Sequence, residues 1–256
     1  MIDTHAHLYD EQFDQDRDEV IDRAVEIGVD RMLLPNIDAQ TTQPMFDLCE
    51  KYPGRCFAMV GLHPTSVGPD FERQLDSIGA HLTNKHVVAV GEIGIDLYWD
   101  KQYLDLQQEA FRIQIGWAKK HRLPIVVHCR KSYNEIISIL KHEQDGSLSG
   151  VFHCFPGNIR QAEEVIRLGF MLGIGGVVTY KNAEMANVTA HIGIEHLLTE
   201  TDAPYLSPVP FRGKRNESCR IQHIVRKISE LKNISFEEAA DATTRNAERL
   251  FRGISA

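Results

Sequence analysis

The chain alternates short apolar runs, rich in β-branched residues, with longer segments in which apolar residues recur at helical spacing. This alternation is typical of βα units, in which helices join parallel strands. The helical pattern is clear in segments 18–27 and 104–120, for example at Val20, Ile21 and Ala24. The runs predicted to be strands are 1–8, 31–36, 56–62, 87–92, 124–128, 150–153, 170–173 and 197–201.

Eight such units predict an α/β protein with the fold of a (β/α)8 TIM barrel. Two further helical stretches, 219–231 and 236–251, predict extra C-terminal helices, and Ser235 with Glu238 forms a capping-box pattern before the second. An open doubly wound sheet would be expected to carry a glycine-rich loop after its first strand, where this chain has His5-Ala6-His7. The length of 256 residues suits one barrel, so we expect a single domain spanning residues 1–256.

Residues that can bind metal follow or end several of the predicted strands. In a barrel of this kind all strands end at the same rim, so these side chains are expected to converge there. A single histidine at a strand end is more often an ordinary polar residue, and only the convergence predicts a site. The residues are His5, His7, His63, Glu92, His128, His153 and Asp202.

A divalent-metal centre is the chemistry that this set predicts. Side chains alternate faces along a strand, so His5 and His7 point the same way and can hold one cation together. His5, His7, Glu92, His128, His153 and Asp202 are too many ligands for one tetrahedral ion that keeps a position open for water. They suit two ions, of Zn, Mg or Mn, with Glu92 as the bridge, since no lysine stands at a matching rim position.

The motifs around these residues resemble those of the TatD-related deoxyribonucleases of the amidohydrolase superfamily, from the first strand to the last helix. The matching segments are Ile2-Asp3-Thr4-His5-Ala6-His7-Leu8, Gly61-Leu62-His63-Pro64, Gly91-Glu92-Ile93-Gly94-Ile95-Asp96, His128-Cys129-Arg130, Phe152-His153-Cys154-Phe155, Glu200-Thr201-Asp202-Ala203-Pro204-Tyr205-Leu206 and Arg212-Gly213-Lys214-Arg215-Asn216-Glu217. The chain departs from the family pattern at Phe155-Pro156-Gly157 and at Asn216-Glu217-Ser218. Neither departure removes a proposed ligand, so they bear on substrate preference more than on chemistry.

The resemblance implies a TatD-like metal-dependent hydrolase that cleaves phosphodiester bonds in DNA with a metal-activated water. It implies one ion held by His5, His7, Glu92 and Asp202, and a second held by Glu92, His128 and His153. We expect Asp202 to accept the proton of the attacking water. Arg130, with His63, is expected to supply donors where negative charge grows, although a structural ion pair at the rim is nearly as good a reading of Arg130. Glu200 is expected to hydrogen-bond a ligand histidine.

The predicted partner is DNA, as single strands or frayed ends. Arg212, Lys214 and Arg215 form a basic run near the rim that is expected to contact phosphate, although a solvated loop is the default reading of such a run. Tyr98 and Trp99 follow the fourth strand and are expected to stack a base, or alternatively to cover the barrel mouth.

Bulk composition narrows the class of protein. The formal charge of −8 argues against a broad basic surface that coats nucleic acid. Five cysteines without C-x-x-C spacing favour a reducing cytoplasm, and the first residues leave no room for a secretion signal. No apolar stretch approaches the length of a membrane span, and no apolar stripe marks an oligomer interface, so we expect a cytoplasmic monomer.

Two other functions fit parts of this pattern. The same metals could direct water at an ester or amide, as in a D-aminoacyl-tRNA deacylase or a lactonase, because the ligands do not choose between carbonyl and phosphorus. A binding or scaffold protein could keep the fold and lose catalysis, although such a protein would be expected to lack at least one ligand.

Overall fold

A computed structural model describes residues 1–98 and 101–254, so the prediction for Trp99 lies outside the described residues. Within them, eight parallel strands pair in sequence order, which confirms the predicted barrel topology. The strands are β1 (Ile2–Asp3), β2 (Arg31–Pro35), β3 (Cys56–Val60), β4 (Val87–Asp96), β5 (Ile125–Arg130), β6 (Gly150–Phe152), β7 (Phe170–Ile174) and β8 (Leu197–Thr199). The Thr4 amide donates to the Thr199 carbonyl at 3.1 Å and Ala6 bridges to Ala203, so β8 meets β1 and the barrel closes.

Helices connect the strands and cover the outside of the barrel. They are α1 (Arg17–Glu26), α2 (Thr42–Lys51), α3 (Phe71–Gly79), α4 (Leu104–His121), α5 (Tyr133–Glu143), α6 (Ile159–Arg167), α7 (Glu184–His191), α8 (Ile221–Lys232) and α9 (Phe236–Leu250). Single turns of 3₁₀ helix lie at Glu11–Phe13, Pro64–Ser66, Gly176–Thr179, Ile194–His196 and Ser218–Arg220. The predicted capping box of Ser235 and Glu238 is present at the start of α9, and both C-terminal helices are confirmed. Among the described residues, no helix combines the length and the apolar character that crossing a membrane requires.

The barrel interior is filled by one or two apolar side chains from each strand. This inner cluster includes Ile2, Leu33, Met59, Val88, Ala89, Val126, Val151, Met171 and Leu198. Phe251, which follows α9 and is fully buried, packs against the same cluster. The Asn246 side chain on α9 donates to the carbonyls of Ile194 and Leu197, where β8 begins. The C-terminal helix therefore covers the N-terminal end of the barrel and leaves the opposite end free for a site.

Every strand differs from its predicted bounds by at least one residue, and the differences are largest at the ends of β1 and β4. β1 ends at Asp3 rather than at residue 8, although the Ala6 amide still donates to the Leu33 carbonyl at 3.0 Å. The Asp3 carboxylate accepts hydrogen bonds from the Thr201 amide (2.9 Å) and hydroxyl (2.6 Å), so it joins the ends of β1 and β8. β4 continues to Asp96 rather than stopping at Glu92. Gly94 allows this continuation: its φ is +144°, and a Cβ there would lie 2.1 Å from the His128 carbonyl oxygen.

Candidate metal centre

All the histidines and acids predicted for the site lie at the C-terminal ends of the strands. His5 and His7 follow β1, His63 follows β3, His153 follows β6 and Asp202 follows β8, whereas Glu92 and His128 lie within β4 and β5. A cavity of about 620 Å³ opens at this rim. It is lined by His7, His63, Glu92, Asp96, His128, Arg130, His153 and Asp202, among others. His5 lies beneath them and is fully buried.

His5 and His7 converge on Asp202, as the alternation of side chains along a strand predicts. Oδ1 of Asp202 lies 3.7 Å from Nε2 of His5 and 3.5 Å from Nε2 of His7. The Asp202 amide donates to the His5 carbonyl at 2.8 Å, which ties the two strand ends together. Asp202 has a φ of 58°, a left-handed conformation that is uncommon outside glycine and that concentrates at functional sites.

Glu92 lies between two sets of imidazoles. Its Oε2 is 3.2 Å from Nε2 of His5, while its Oε1 is 2.7 Å from Nδ1 of His128 and 3.6 Å from Nε2 of His63. The two oxygens of one carboxylate therefore face opposite halves of the cluster. This is the arrangement in which a carboxylate can bridge two cations.

Three groups of three residues bring their ligand atoms within 4.8 Å of one another, counting only the described part of the chain. The groups are His5, His7 and Glu92; His5, His153 and Asp202; and His63, Glu92 and His128. This grouping differs in one respect from the ligand sets that the family resemblance implies. His153 joins His5, with ring centroids 3.6 Å apart, while His63 occupies the place beside Glu92 and His128.

The chemistry of the donor set fits a divalent cation. Both ring nitrogens of His5 are buried and have no hydrogen-bond partner among the described residues. Leaving buried polar atoms unpaired costs free energy, which a metal bound to one of these nitrogens would offset. Mixed imidazole and carboxylate ligands suit Zn and Mn, among other ions.

The buried histidines and carboxylates of the cluster have pKa values shifted in different directions. Burial opposes the charge of Glu92, but the imidazoles of His63, His5 and His153 outweigh it and hold its pKa well below the usual value. Burial likewise disfavours the charged form of His128, yet hydrogen bonds to Asp96 and Glu92 raise its pKa to about 9. Burial lowers the pKa of His5 and His63. The metal-free cluster therefore contains both neutral and protonated imidazoles around ionised carboxylates.

The pKa values of His153 and Asp202 are shifted by the same two effects, burial and neighbouring charges. Against the effect of burial, the carboxylates of Glu200, Glu92 and Asp202 raise the pKa of His153 to about 10. Burial also disfavours the charge of Asp202, but His153 and His7 lower its pKa below the usual value. Oε1 of Glu200 lies 2.9 Å from Nδ1 of His153, so Glu200 is an ion-pair partner of a histidine of the cluster.

Sequence reasoning missed two residues that orient the histidines. Oδ2 of Asp96 lies 2.9 Å from Nε2 of His128. The Tyr9 hydroxyl donates to the Pro35 carbonyl and lies 3.0 Å from Nδ1 of His7. Since the Tyr9 proton is used on Pro35, Nδ1 of His7 must donate to the Tyr9 oxygen, and Nε2 is the ring nitrogen that faces Asp202. Tyr9 lies two residues after His7, and Asp96 lies four residues after Glu92. Because side chains alternate faces along a strand, an even spacing from a predicted ligand could have indicated both residues.

The predicted substrate-binding residues occupy different environments. Arg130 lines the cavity, and its guanidinium carbon lies 3.8 Å from the centre of the Tyr98 ring. Arg212 lies over the Tyr180 ring at 4.6 Å, and Lys214 is exposed. The described residues that line the cavity do not include the basic run.

Arg215 is occupied by contacts that hold the fold together. Its guanidinium makes two hydrogen bonds to Asp16, at 2.8 and 2.6 Å, and a third to Glu217 at 3.3 Å. It also lies 4.7 Å from the centre of the Phe13 ring. This side chain therefore joins the loop after β8 to the segment before α1, and its charge is already paired with two carboxylates.

Comparison with known proteins gives a consistent result across the whole chain. The family model described as TatD related DNase matches residues 2–252. The uncharacterized metal-dependent hydrolase YabD of Bacillus subtilis is 42% identical over 98% of this chain and 99% of its own length. A 3'-5' ssDNA/RNA exonuclease TatD of Pectobacterium carotovorum is 33% identical over 98% of this chain and 99% of its own length.

A solved structure shares the fold closely. The crystal structure of YjjV, a TatD homolog from Escherichia coli, superimposes with a TM-score of 0.92 at 31% identity, and covers 98% of this chain and 97% of its own. The chain belongs to the TatD-related DNase family.

Proposed function

We propose that this chain is a metal-dependent exonuclease that hydrolyses phosphodiester bonds at the 3′ ends of single-stranded DNA. The observation that carries the proposal is the convergence of His5, His7, Glu92, His128 and Asp202 beneath an open cavity. The proposed polarity and strand preference are supported by the name of the Pectobacterium relative. The cytoplasmic location predicted from the sequence is supported by its five cysteines, which are all unpaired.

Two divalent cations are proposed for the cluster, with Glu92 shared between them. His5, His7 and Asp202 would hold one cation from the β1 and β8 side, and His128 would hold the other from the β5 side. His63 is a candidate to complete the second set, because it lies beside Glu92 and His128. His153, which the resemblance assigns to the second set, lies instead beside His5 and Asp202. When bound, the cations would neutralise phosphate charge and lower the pKa of a water molecule.

The chain's own residues would orient the reactants and move the proton. Asp202 directs Oδ1 at three histidines, and we assign its second carboxylate oxygen as the acceptor of the water proton. Arg130 at the cavity wall would bind a non-bridging oxygen, since a guanidinium pairs well with phosphate. Arg212 and Lys214 stay proposed contacts to the strand beyond the cavity.

The proposal is tested by assaying a labelled single-stranded oligonucleotide after chelation, with Mg, Mn or Zn then added separately. Glu92→Ala and Asp202→Ala should each lower the rate at least about a hundredfold, because each removes a shared or proton-accepting carboxylate. Glu72→Ala, an exposed carboxylate on α3, is the matched control and should cleave at the wild-type rate.

Parallel reactions with D-aminoacyl-tRNA and a panel of lactones separate the nuclease from a carbonyl hydrolase. Cleavage of either one in place of DNA would overturn the proposed substrate. Full DNA cleavage by the Glu92→Ala variant would overturn the proposed role of the metal cluster.

A further inference from the structure

We infer that Tyr205 is the stacking platform for the terminal unpaired base of the substrate, an inference that rests on the proposed function. Tyr205 lines the same cavity as the metal cluster, and 45% of the residue is exposed. The neighbouring Leu206 also lines the cavity and is 39% exposed. Large apolar side chains usually bury their surface, so an exposed pair beside a polar cluster is a candidate binding surface.

The position of Tyr205 suits a base whose phosphate enters the cluster. The ring centroids of Tyr205 and His7 lie 5.9 Å apart, at an interplanar angle of 69°. Within a nucleotide a single sugar joins base and phosphate, so a base on this ring keeps the adjoining phosphate close to the metal ligands. A paired base is already stacked in a duplex and must be extruded to reach the ring, so this platform favours single strands.

The backbone that carries Tyr205 is held in place even though the side chain is exposed. The buried side chain of Asn216 donates to the carbonyls of Tyr205 (2.7 Å) and Thr201 (2.8 Å). The Tyr205 amide donates to the Asp202 carbonyl at 2.7 Å, which fixes the ring relative to a proposed metal ligand. A ring presented on a fixed backbone loses little conformational entropy when a base binds.

Tyr205 is a better platform than Tyr98, one of the two aromatic residues that the sequence predicts to stack a base. Arg130 already lies over the Tyr98 ring at 3.8 Å from its centre, so one ring face is covered. Tyr98 is also not among the described residues that line the cavity. We therefore assign specificity for unpaired ends to Tyr205, with Leu206 extending the apolar surface beside it.

The inference is tested with protein reconstituted with Mn, and binding is measured apart from cleavage because the terminal phosphodiester of the probe is replaced by a non-hydrolysable linkage. The probe is a short single-stranded oligonucleotide with 2-aminopurine at its 3′ end, whose fluorescence is quenched when the base stacks. Tyr205→Ala should weaken binding about tenfold and abolish the quenching, while Tyr205→Phe should stay within about twofold of wild type. Val209→Ala, which removes an exposed apolar side chain from the same loop, is the matched control and should bind as wild type does.

A second oligonucleotide with an abasic 3′ terminus isolates the contribution of the base. Wild type and Tyr205→Ala should bind it with equal affinity, a result that a merely structural role of Tyr205 would not give. The inference would be overturned if wild type and Tyr205→Ala bound the 2-aminopurine strand with equal affinity, or if wild type did not bind it. It would also be overturned if Tyr205→Ala lost as much affinity for the abasic strand as for the 2-aminopurine strand. If quenching depended on Tyr205 but the protein did not cleave DNA, the proposed function would be contradicted and the assignment of Tyr205 would be kept.

Discussion

The orientation of His7 depends on two hydrogen bonds that pass through Tyr9. His7 donates from Nδ1 to the Tyr9 oxygen, and the Tyr9 hydroxyl donates to the carbonyl of Pro35 at the end of β2. These two hydrogen bonds fix the orientation of the ring, so that Nε2 faces Asp202 at 3.5 Å. Partners of this kind commonly orient the histidines that bind metals in proteins.

Tyr9→Phe is predicted to weaken metal binding about ten- to hundredfold, because His7 loses the acceptor that orients its ring. Isothermal titration of the metal-free variant with Zn measures the change. Tyr103→Phe, which removes a partly exposed hydroxyl where α4 begins, serves as the control. Unchanged affinity in Tyr9→Phe would show that the Tyr9 contact does not orient a ligand.

Metal binding is predicted to release protons at pH 7.5. The pKa values of His128 (about 9) and His153 (about 10) lie above the usual value of 6.5, so both rings are protonated in the metal-free protein at this pH. A metal ligand must be unprotonated, so binding should release about two protons, and apparent affinity should rise with pH up to about 9 to 10. Calorimetry in buffers of different ionisation enthalpy counts the protons, and a count of zero would contradict the assignment.

At the scale of residues, the sequence predicts which side chains converge but not how they pair. Strand-end positions identify His5, His7, Glu92, His128, His153 and Asp202 because β-strand geometry is local. The partners of a charged side chain are not local. The sequence predicts that Arg215 contacts phosphate, but it does not show that the guanidinium is hydrogen-bonded to Asp16, which lies 199 positions away.

At the scale of elements, α9 covers the N-terminal end of the barrel. Phe251 at its end is fully buried against side chains contributed by the strands, and Asn246 binds carbonyls where β8 begins. The capping box at Ser235 starts this helix at a defined residue. These contacts fix where the helix ends, and the helix therefore covers the N-terminal end of the barrel.

Phe251→Ala is predicted to destabilise the protein by about 3–5 kcal/mol, because it removes a large side chain and leaves a cavity. Urea unfolding followed by circular dichroism measures the loss. Arg245→Ala, an exposed position on the same helix, should change stability by less than about 0.5 kcal/mol. If the two variants lost a similar free energy of unfolding, burial of Phe251 at the end of α9 would not be what stabilises the N-terminal end of the barrel.

Element boundaries were predicted less well than element identities, for a physical reason. Hydrophobic periodicity identifies every strand, but it cannot show where regular strand pairing stops, as it does after Asp3 in β1. Nor can it show that Gly94 lets β4 run close to β5 as far as Asp96. The extension is functionally relevant because it places Asp96 against His128.

At the scale of the whole molecule, stability and chemistry lie at opposite ends of one barrel. The apolar interior and α9 fill the N-terminal end, and the histidine and carboxylate cluster occupies the C-terminal end. The alternation of strands and helices was enough to predict this division, because parallel βα units place all their strand ends on one rim. The number of ions and the substrate depend on ligand geometry and on the surface, which periodicity does not encode.

The net charge of −8 also bears on how nucleic acid would be held. With Arg215 neutralised by Asp16 and Glu217, the basic run after β8 supplies fewer free charges than its sequence suggests. Affinity would then come from phosphate at the metal cluster and from a base on Tyr205 rather than from a broad electrostatic surface. This arrangement suits a single strand end, which exposes both groups.

The most direct test of the account is a crystal structure of the protein reconstituted with Mn, with the ions located by anomalous scattering. We predict two ions, roughly 3.5 to 4 Å apart, with one oxygen of Glu92 on each. His5, His7 and Asp202 should contact one ion, and His128 the other. A single ion, or ions bound away from Glu92, would contradict the claim that this cluster is a shared two-metal centre.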